Sequence, residues 1–398
     1  RNKHLNGPPL IHTQTPTNSP FRLDLHVGDV GHTFIAGPTG AGKSVLLSTI
    51  AAQFLRYPNA QVYFFDKDAS CRALTMGVGG DFYDLGGEKE TLAFQPLAEI
   101  DNENERAWTA EWIHDFLRSE NVEITPEVKN TVWVALCSLA TSPKKERTIS
   151  GLQFLLQNNR LKQALDPLTI KGPYGRIFDA TSDNLNYGKW QVFEMAQLMN
   201  APAAIQPALG YLFHKLEQRF TGAPTLLELD ESWMFIDNPV FVLKIKDWLK
   251  TLRKANVSVV FATQSLADVK DKPITAAILD SCLTKIYLPN SNAREEKNAA
   301  MYDSFGLNTR EIEIISTATP KKQYYYKSVN GSRLFELSLG PVTLAYCAAS
   351  SKNDRNMIDK ILEEYGKKNF NEEWLKYKNL PAIAEEYLNL IKEGESHV

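Results

Sequence analysis

Cysteine is scarce in this chain of 398 residues, and Cys71, Cys137, Cys282 and Cys347 stand far apart. Such scattering excludes a disulfide-stapled scaffold or a zinc site of paired cysteines, and predicts reduced, mostly buried thiols of the cytosol. Long apolar runs are missing as well. None reaches the ~18 residues of a spanning helix, and Arg1 to Pro20 has no apolar core of the signal-peptide kind. Membrane association is therefore expected to be peripheral or through partners. Charge of one sign is lacking too: 44 basic against 47 acidic residues leave −3. That excludes a protein dominated by a basic nucleic-acid surface and leaves local patches open. What the chain does have is 43% hydrophobic residues, enough for a large core over a length suited to two or three folding units.

The most informative stretch is Gly37-Pro38-Thr39-Gly40-Ala41-Gly42-Lys43-Ser44, a complete G-x-x-x-x-G-K-[ST] phosphate loop followed by Val45. The apolar run His32 to Ala36 reads as a strand feeding it, and Ser44 to Leu55 as a helix leaving it. Glycines let backbone N–H groups close around phosphate oxygens, and the helix N-terminus adds partial positive charge. Lys43 is placed to reach the β- and γ-phosphates and Ser44 to hold Mg²⁺.

Hydrolysis needs a second half-site. Thr225 to Leu229 makes a short buried strand that ends in Asp230 and Glu231, the first assigned to Mg²⁺ and the second to the attacking water. A third strand, Val257 to Thr263, ends at Gln264, on the ligand side of an open sheet. Gln264 is a candidate for sensing the γ-phosphate or positioning water, with a strand-end amide bonding a neighbouring loop as the other reading, the one to prefer if the other motifs were absent. Gln61 to Phe65 is a further strand. Asp66-Lys67-Asp68 at its end reads as a structural turn, with nucleotide or Mg²⁺ contact as the other reading. The glycines at 77–80 and 86–87 flank Asp81 to Leu85 without a following Gly-Lys-[ST], which predicts a tight hairpin and no second phosphate loop.

Residues 1–20, rich in Pro, Asn and Thr, read as a linker. The core is expected over 21–97 and 187–352, with the sheet resuming at Trp190 to Met195. Between them, 98–186 turns to helical periodicity, as in Trp108, Trp112, Ile113, Phe116 and Leu117, which predicts an inserted all-α subdomain. Strands are expected at Lys285 to Leu288, Gln323 to Ser328, Leu334 to Leu339 and Val342 to Ala348, the last three as antiparallel additions, with Asn330-Gly331 a hairpin signal. Residues 353–398 read as a helical tail that docks on its own domain, on a neighbouring subunit or over the nucleotide cleft.

The segments Gly31 to Ser44, Phe65 to Asp68, Asp230-Glu231-Ser232-Trp233, Ala262 to Ser265, Leu288-Pro289-Asn290 and Gly340 to Tyr346 together resemble the type IV secretion and conjugative-transfer ATPases of the TrbE/CagE class, the large VirB-type motors. The resemblance covers roughly Phe21 to Ala348. It implies an α/β fold, a RecA-like P-loop NTPase core of mostly parallel sheet with antiparallel additions and an inserted all-α subdomain. It implies Mg²⁺-dependent ATP hydrolysis powering substrate transfer or pilus assembly, at the cytoplasmic face of the inner membrane beside other type IV secretion components. It implies a homo-hexamer. The family carries a sizeable amino-terminal domain and nothing precedes Arg1 here, so the chain is expected to be an excised carboxy-terminal motor domain, able to stay monomeric. Ring motors complete their sites with an arginine from the next subunit. Arg294 and Arg333 lie in segments resembling the family's later motifs, each also suited to an ordinary surface ion pair. The alternative is a DNA-translocating motor of the coupling-protein or FtsK/HerA type. Compact basic clusters it could draw on include Lys144-Lys145-Glu146-Arg147 and Lys321-Lys322. A third class is a nucleotide-gated scaffold with little turnover.

Overall fold

The computed structural model describes residues 2–87, 92–186, 188–231 and 239–395. Its chain divides into two compact units, one made of residues 1–82, 188–194 and 220–398, the other of 83–187 and 195–219.

The strands are β1 (Ile11–Gln14), β2 (Pro20–Leu23), β3 (Thr33–Ala36), β4 (Gln61–Asp66), β5 (Asp81–Asp84), β6 (Trp190–Glu194), β7 (Thr225–Leu229), β8 (Val257–Thr263), β9 (Thr284–Tyr287), β10 (Gln323–Ser328) and β11 (Gly331–Glu336). They form a sheet in the order β2-β1-β11-β10-β9-β3-β8-β7-β4-β6-β5. The run from β9 to β6 is parallel, and β10, β11, β1 and β2 extend it antiparallel. Strands β3, β7 and β8 are buried at every position, as strands covered on both faces must be, which is why they read as predominantly apolar runs. Fully burying Phe34 and Ile35 stabilises the fold by roughly 1.5–3 kcal/mol each. That anchors the strand that delivers the phosphate loop.

The second unit is helical. Helix Glu103–Ser119 is capped by the Asn102 side chain and buries Trp112, Ile113, Phe116 and Leu117; helix Pro126–Leu139 buries Val132, Leu136 and Leu139. The helical unit also takes in Pro202–Glu217, which lies outside 98–186. Trp108 stacks on His214 with centroids 3.8 Å apart, and the Trp112 indole donates to the Pro207 carbonyl at 3.0 Å. These are contacts across about a hundred residues that no local pattern announces.

Three local expectations are corrected. Residues 1–20 are no linker, because β1 pairs with β2 and β11, and Leu5, Leu10 and Ile11 are buried; a few apolar residues outweigh a loop-like composition. Among the described residues Asp81 to Leu85 forms no hairpin of its own, since Asp81–Asp84 is a single strand at one end of the sheet. Val342 to Ala348 is a helix, Pro341–Cys347. Proline at its first position pre-sets a helical φ, and packing against the helix that follows the phosphate loop decides a sequence whose residues also suit a strand. The hairpin at Asn330-Gly331 forms, with Ser328 opposite Gly331.

The carboxy-terminal tail docks on the first unit. Ile358, Ile361, Phe370 and Trp374 join its core, the Trp374 indole donates to the Ala345 carbonyl at 3.1 Å, and Arg72 pairs with Asp359 at 2.8 Å.

His32 stands at the foot of β3, fully buried, with Nδ1 accepting the Val259 N–H at 3.1 Å. Burial pushes its pKa down to about 4 from 6.5. Below pH ~6.5 the unfolded chain therefore binds a proton that the folded chain refuses, so the stability His32 contributes is whole above ~6.5 and lost as the pH falls towards 4. The amount is about 3 kcal/mol. Buried Asp66 and Glu228, whose pKa values burial raises, act in the opposite sense, so the histidine contribution is read by difference. Denaturant unfolding of the wild type and of His32→Asn, which keeps an acceptor near the Nδ1 position, should show the wild type losing its margin over the variant between pH 7 and 4. A constant margin refutes the assignment.

Candidate nucleotide site

The phosphate loop joins β3 to helix α1 (Lys43–Phe54). Gly37 passes so close to the next strand's exit that an added Cβ would lie 2.3 Å from that of Leu288. Gly40 and Gly42 hold φ of +81° and +108°, the left-handed region where a side chain is strained. Just before β10, Lys321 donates its N–H to the Ala41 carbonyl at 2.8 Å, and the Tyr324 hydroxyl reaches that of Gly42 at 3.3 Å. A loop pinned from behind, with the N-terminus of a 12-residue helix in front, presents N–H groups to an anion at little further ordering cost.

Parallel strands end on the same side of a sheet, and this brings the sequence candidates together. Asp230 and Glu231 follow β7, and Gln264 follows β8, the strand between β7 and β3. Lys43 Nζ lies 2.7 Å from Asp230 Oδ1 and 3.0 Å from Glu231 Oε1. The Gln264 amide donates to Glu231 Oε1, and Thr39 Oγ1 donates to Gln264 Oε1 at 2.6 Å. The chain of contacts Thr39–Gln264–Glu231–Lys43–Asp230 is thus continuous. Glu231 sits at φ +52°, held there by its own N–H donating to Asp230 Oδ1 at 2.9 Å, a strained backbone of the sort found at functional sites. Ser232 and Trp233 lie outside the described residues.

Burial by itself would lower the pKa of Lys43, but Asp230 and Glu231 outweigh it and raise it, so the ammonium is charged. Asp66, at the end of β4, is buried; burial and the Glu194 carboxylate push its pKa well up. It accepts from Ser70 Oγ at 2.5 Å and from the Cys71 N–H at 2.8 Å, closing the turn. Lys67 and Asp68 of that turn line the recess.

The recess has a volume of about 680 Å³, in the range of small-molecule sites. Its donor set suits Mg²⁺: the Ser44 hydroxyl and the Asp230 and Glu231 carboxylates are hard oxygen ligands. Among the described residues no group of three or more His, Cys, Asp or Glu forms a metal cage. Two groups of lining residues escape the sequence reading. Lys321 belongs to a basic pair that reads as solvated loop, yet its backbone braces the phosphate loop. Residues 337–350 contribute an entire wall, hidden by the strand reading of 342–348. Arg294 and Arg333 are exposed and do not line the recess.

No protein-family model matches the chain. Over 367 residues and 90% of its length it is 45% identical to the conjugal transfer protein TrbE of Rhizobium radiobacter, 44% of which is covered. Over 89% of its length it is 28% identical to the type IV secretion system protein virB4 of Bartonella henselae, 45% of which is covered. The chain thus spans about half the length of the curated relatives it matches. In fold it is similar to VirB4 of Thermoanaerobacter pseudethanolicus, at TM-score 0.67 and 16% identity over 85% of this chain and 99% of that one. It is also similar to the plasmid coupling protein TrwB in complex with ADP and Mg²⁺, at TM-score 0.52 and 16% identity over 78% and 86%. The core is accordingly a RecA-like P-loop fold, and the chain belongs to the TrbE/VirB4 family of conjugal-transfer and type IV secretion proteins.

Proposed function

We propose that this chain binds Mg²⁺·ATP on its phosphate loop and hydrolyses it to power substrate transfer or pilus assembly in a type IV secretion or conjugation system. The observation that carries the reading is Lys43 held between Asp230 and Glu231, with Gln264 bridging Glu231 to the phosphate loop. When nucleotide enters, Lys43 exchanges carboxylate oxygens for those of the β- and γ-phosphates. Glu231, relieved of the ammonium, accepts the proton of an attacking water, and the Gln264 amide fixes the carboxylate's orientation. Ser44 and Asp230 would hold Mg²⁺, which would supply the remaining neutralisation of phosphate charge.

The DNA-motor alternative has less support. Lys144 pairs with Glu99, Arg147 with Asp101 and Lys322 with Glu336, so three of the five cations in these two clusters already face an acidic neighbour. Phosphate release measured with and without single- and double-stranded DNA over a salt series separates the readings. Stimulation that fades steeply with salt would favour the DNA motor. Nucleotide binding without turnover would favour the scaffold.

The working form in this reading is a homo-hexamer at the cytoplasmic face of the inner membrane, and one of Arg294 and Arg333 acts in trans. In mixing experiments, a Glu231→Gln subunit should restore hydrolysis to an Arg294→Ala or Arg333→Ala subunit, because each supplies what the other lacks. An arginine of this kind is worth roughly 10³–10⁵ in rate. Wild-type rates in both arginine variants, or no recovery in rings shown to be mixed, end the trans proposal.

A further inference from the structure

Strands β4 and β6 are parallel neighbours, and their last residues, Asp66 and Glu194, stand opposite each other in register. Both acids are buried. Buried carboxyls need hydrogen-bond partners, and both find them in the turn that leaves β4. Asp66 accepts from the Lys67 and Cys71 N–H groups at 2.9 and 2.8 Å and from Ser70 Oγ at 2.5 Å. Glu194 reaches the same turn from the far strand, Oε1 accepting the Asp68 N–H at 3.2 Å and Oε2 the Ala69 N–H at 2.5 Å. Those two residues are the strained ones. Asp68 and Ala69 hold φ of +64° and +54°, a left-handed pair without glycine, and alanine has no polar side chain to offset the cost locally. Lys67, Asp68 and Ser70 line the nucleotide recess, and Lys67 has no ion-pair partner among the described residues.

We propose that Lys67 is a second cation of the nucleotide site, drawn on by the phosphates alongside Lys43, and that Glu194 is the positioning residue that keeps it there by holding Asp68 and Ala69 in the left-handed turn. The inference rests on the nucleotide reading above. Lys43 faces two carboxylates with one ammonium, so the inner end of the recess has no surplus positive charge to offer a polyanion. A cation on the opposite turn supplies some. Strain concentrated in a turn that lines a recess, and over-determined by two buried acids, is the pattern expected of a functional element. A carboxylate presents two acceptors to the two N–H groups, whereas an amide keeps one and turns a donor towards the other. Glu194→Gln therefore releases half of the clamp.

Titration calorimetry and steady-state phosphate release on the whole chain with Mg²⁺·ATP test this. Lys67→Met should weaken ATP binding by about tenfold or more, the worth of a charged hydrogen bond, and raise KM more than it lowers kcat. Glu194→Gln should do the same. The combined variant should be no weaker than either alone, because both remove one contact. Ala69→Gly, which takes positive φ without strain, should restore affinity to Glu194→Gln and should not restore it to Lys67→Met. Ala69→Val, whose branched side chain disfavours positive φ, leaves both acids in place and should reproduce the loss, which decides the matter if Glu194→Gln does not fold. Wild-type affinity in Lys67→Met, additive losses in the combined variant, no recovery through Ala69→Gly, or indifference of Ala69→Val overturns the proposal. If the wild type itself binds no ATP, the nucleotide reading fails and takes this proposal with it.

Discussion

Replacing Lys43 by Ala should reduce steady-state phosphate release by at least about a hundredfold, the usual loss when one preorganised charge at a developing anion is removed. A second effect should appear without nucleotide. Asp230 and Glu231 are each 4% exposed and share this ammonium, so the variant leaves two adjacent buried carboxylates with no cation. Removing one partner of a buried pair costs about 3–5 kcal/mol, relieved here only as a carboxyl takes up a proton. The variant should therefore unfold more easily at pH 8 than the wild type, and the gap should narrow towards pH 5. Adding Asp230→Asn should recover stability without recovering hydrolysis. Full turnover by Lys43→Ala defeats the site assignment, and an unchanged unfolding curve shows that the ammonium is not needed to hold the carboxylates.

Glu231→Gln should separate binding from chemistry. The amide keeps the size of the side chain and the backbone at φ +52°, keeps an acceptor for Gln264, and removes one of the two carboxylates that hold Lys43 away from phosphate. Nucleotide affinity should be retained or improve. Hydrolysis should fall by roughly 10²–10⁴, the contribution of a positioned general base. Comparing calorimetric binding with phosphate release decides the matter. If Glu231→Gln loses affinity in parallel with rate, as Lys43→Ala should, Glu231 is a structural brace. The same variant serves in the mixed rings above, where its intact arginines are needed, so the two experiments share one control.

The sequence by itself determined whatever is chemically local. The phosphate loop is written in eight consecutive residues, because left-handed glycines, a helix N-terminus and a lysine must all fall within one turn of chain. Asp230, Glu231 and Gln264 were legible for a related reason: predominantly apolar runs mark strands covered on both faces, and a polar residue at the exit of such a run lies at the ligand end of a parallel sheet. The tertiary structure alone decided what depends on distant partners. It put Lys43 between its two carboxylates, which needs β7 placed between β8 and β4. It turned Pro341–Cys347 into a helix against α1, where residue preferences were balanced, and thereby built the apolar wall of the recess. It drew β1 into the sheet beside β11 and joined Pro202–Glu217 to the helical unit through Trp108 and Trp112. It left Arg294 and Arg333 away from this chain's own recess. Periodicity and loop chemistry report on neighbours within about one turn or strand, while these outcomes were set by burial and by contacts between residues far apart in the chain, 95 positions for Trp112 and Pro207 and 187 for Lys43 and Asp230.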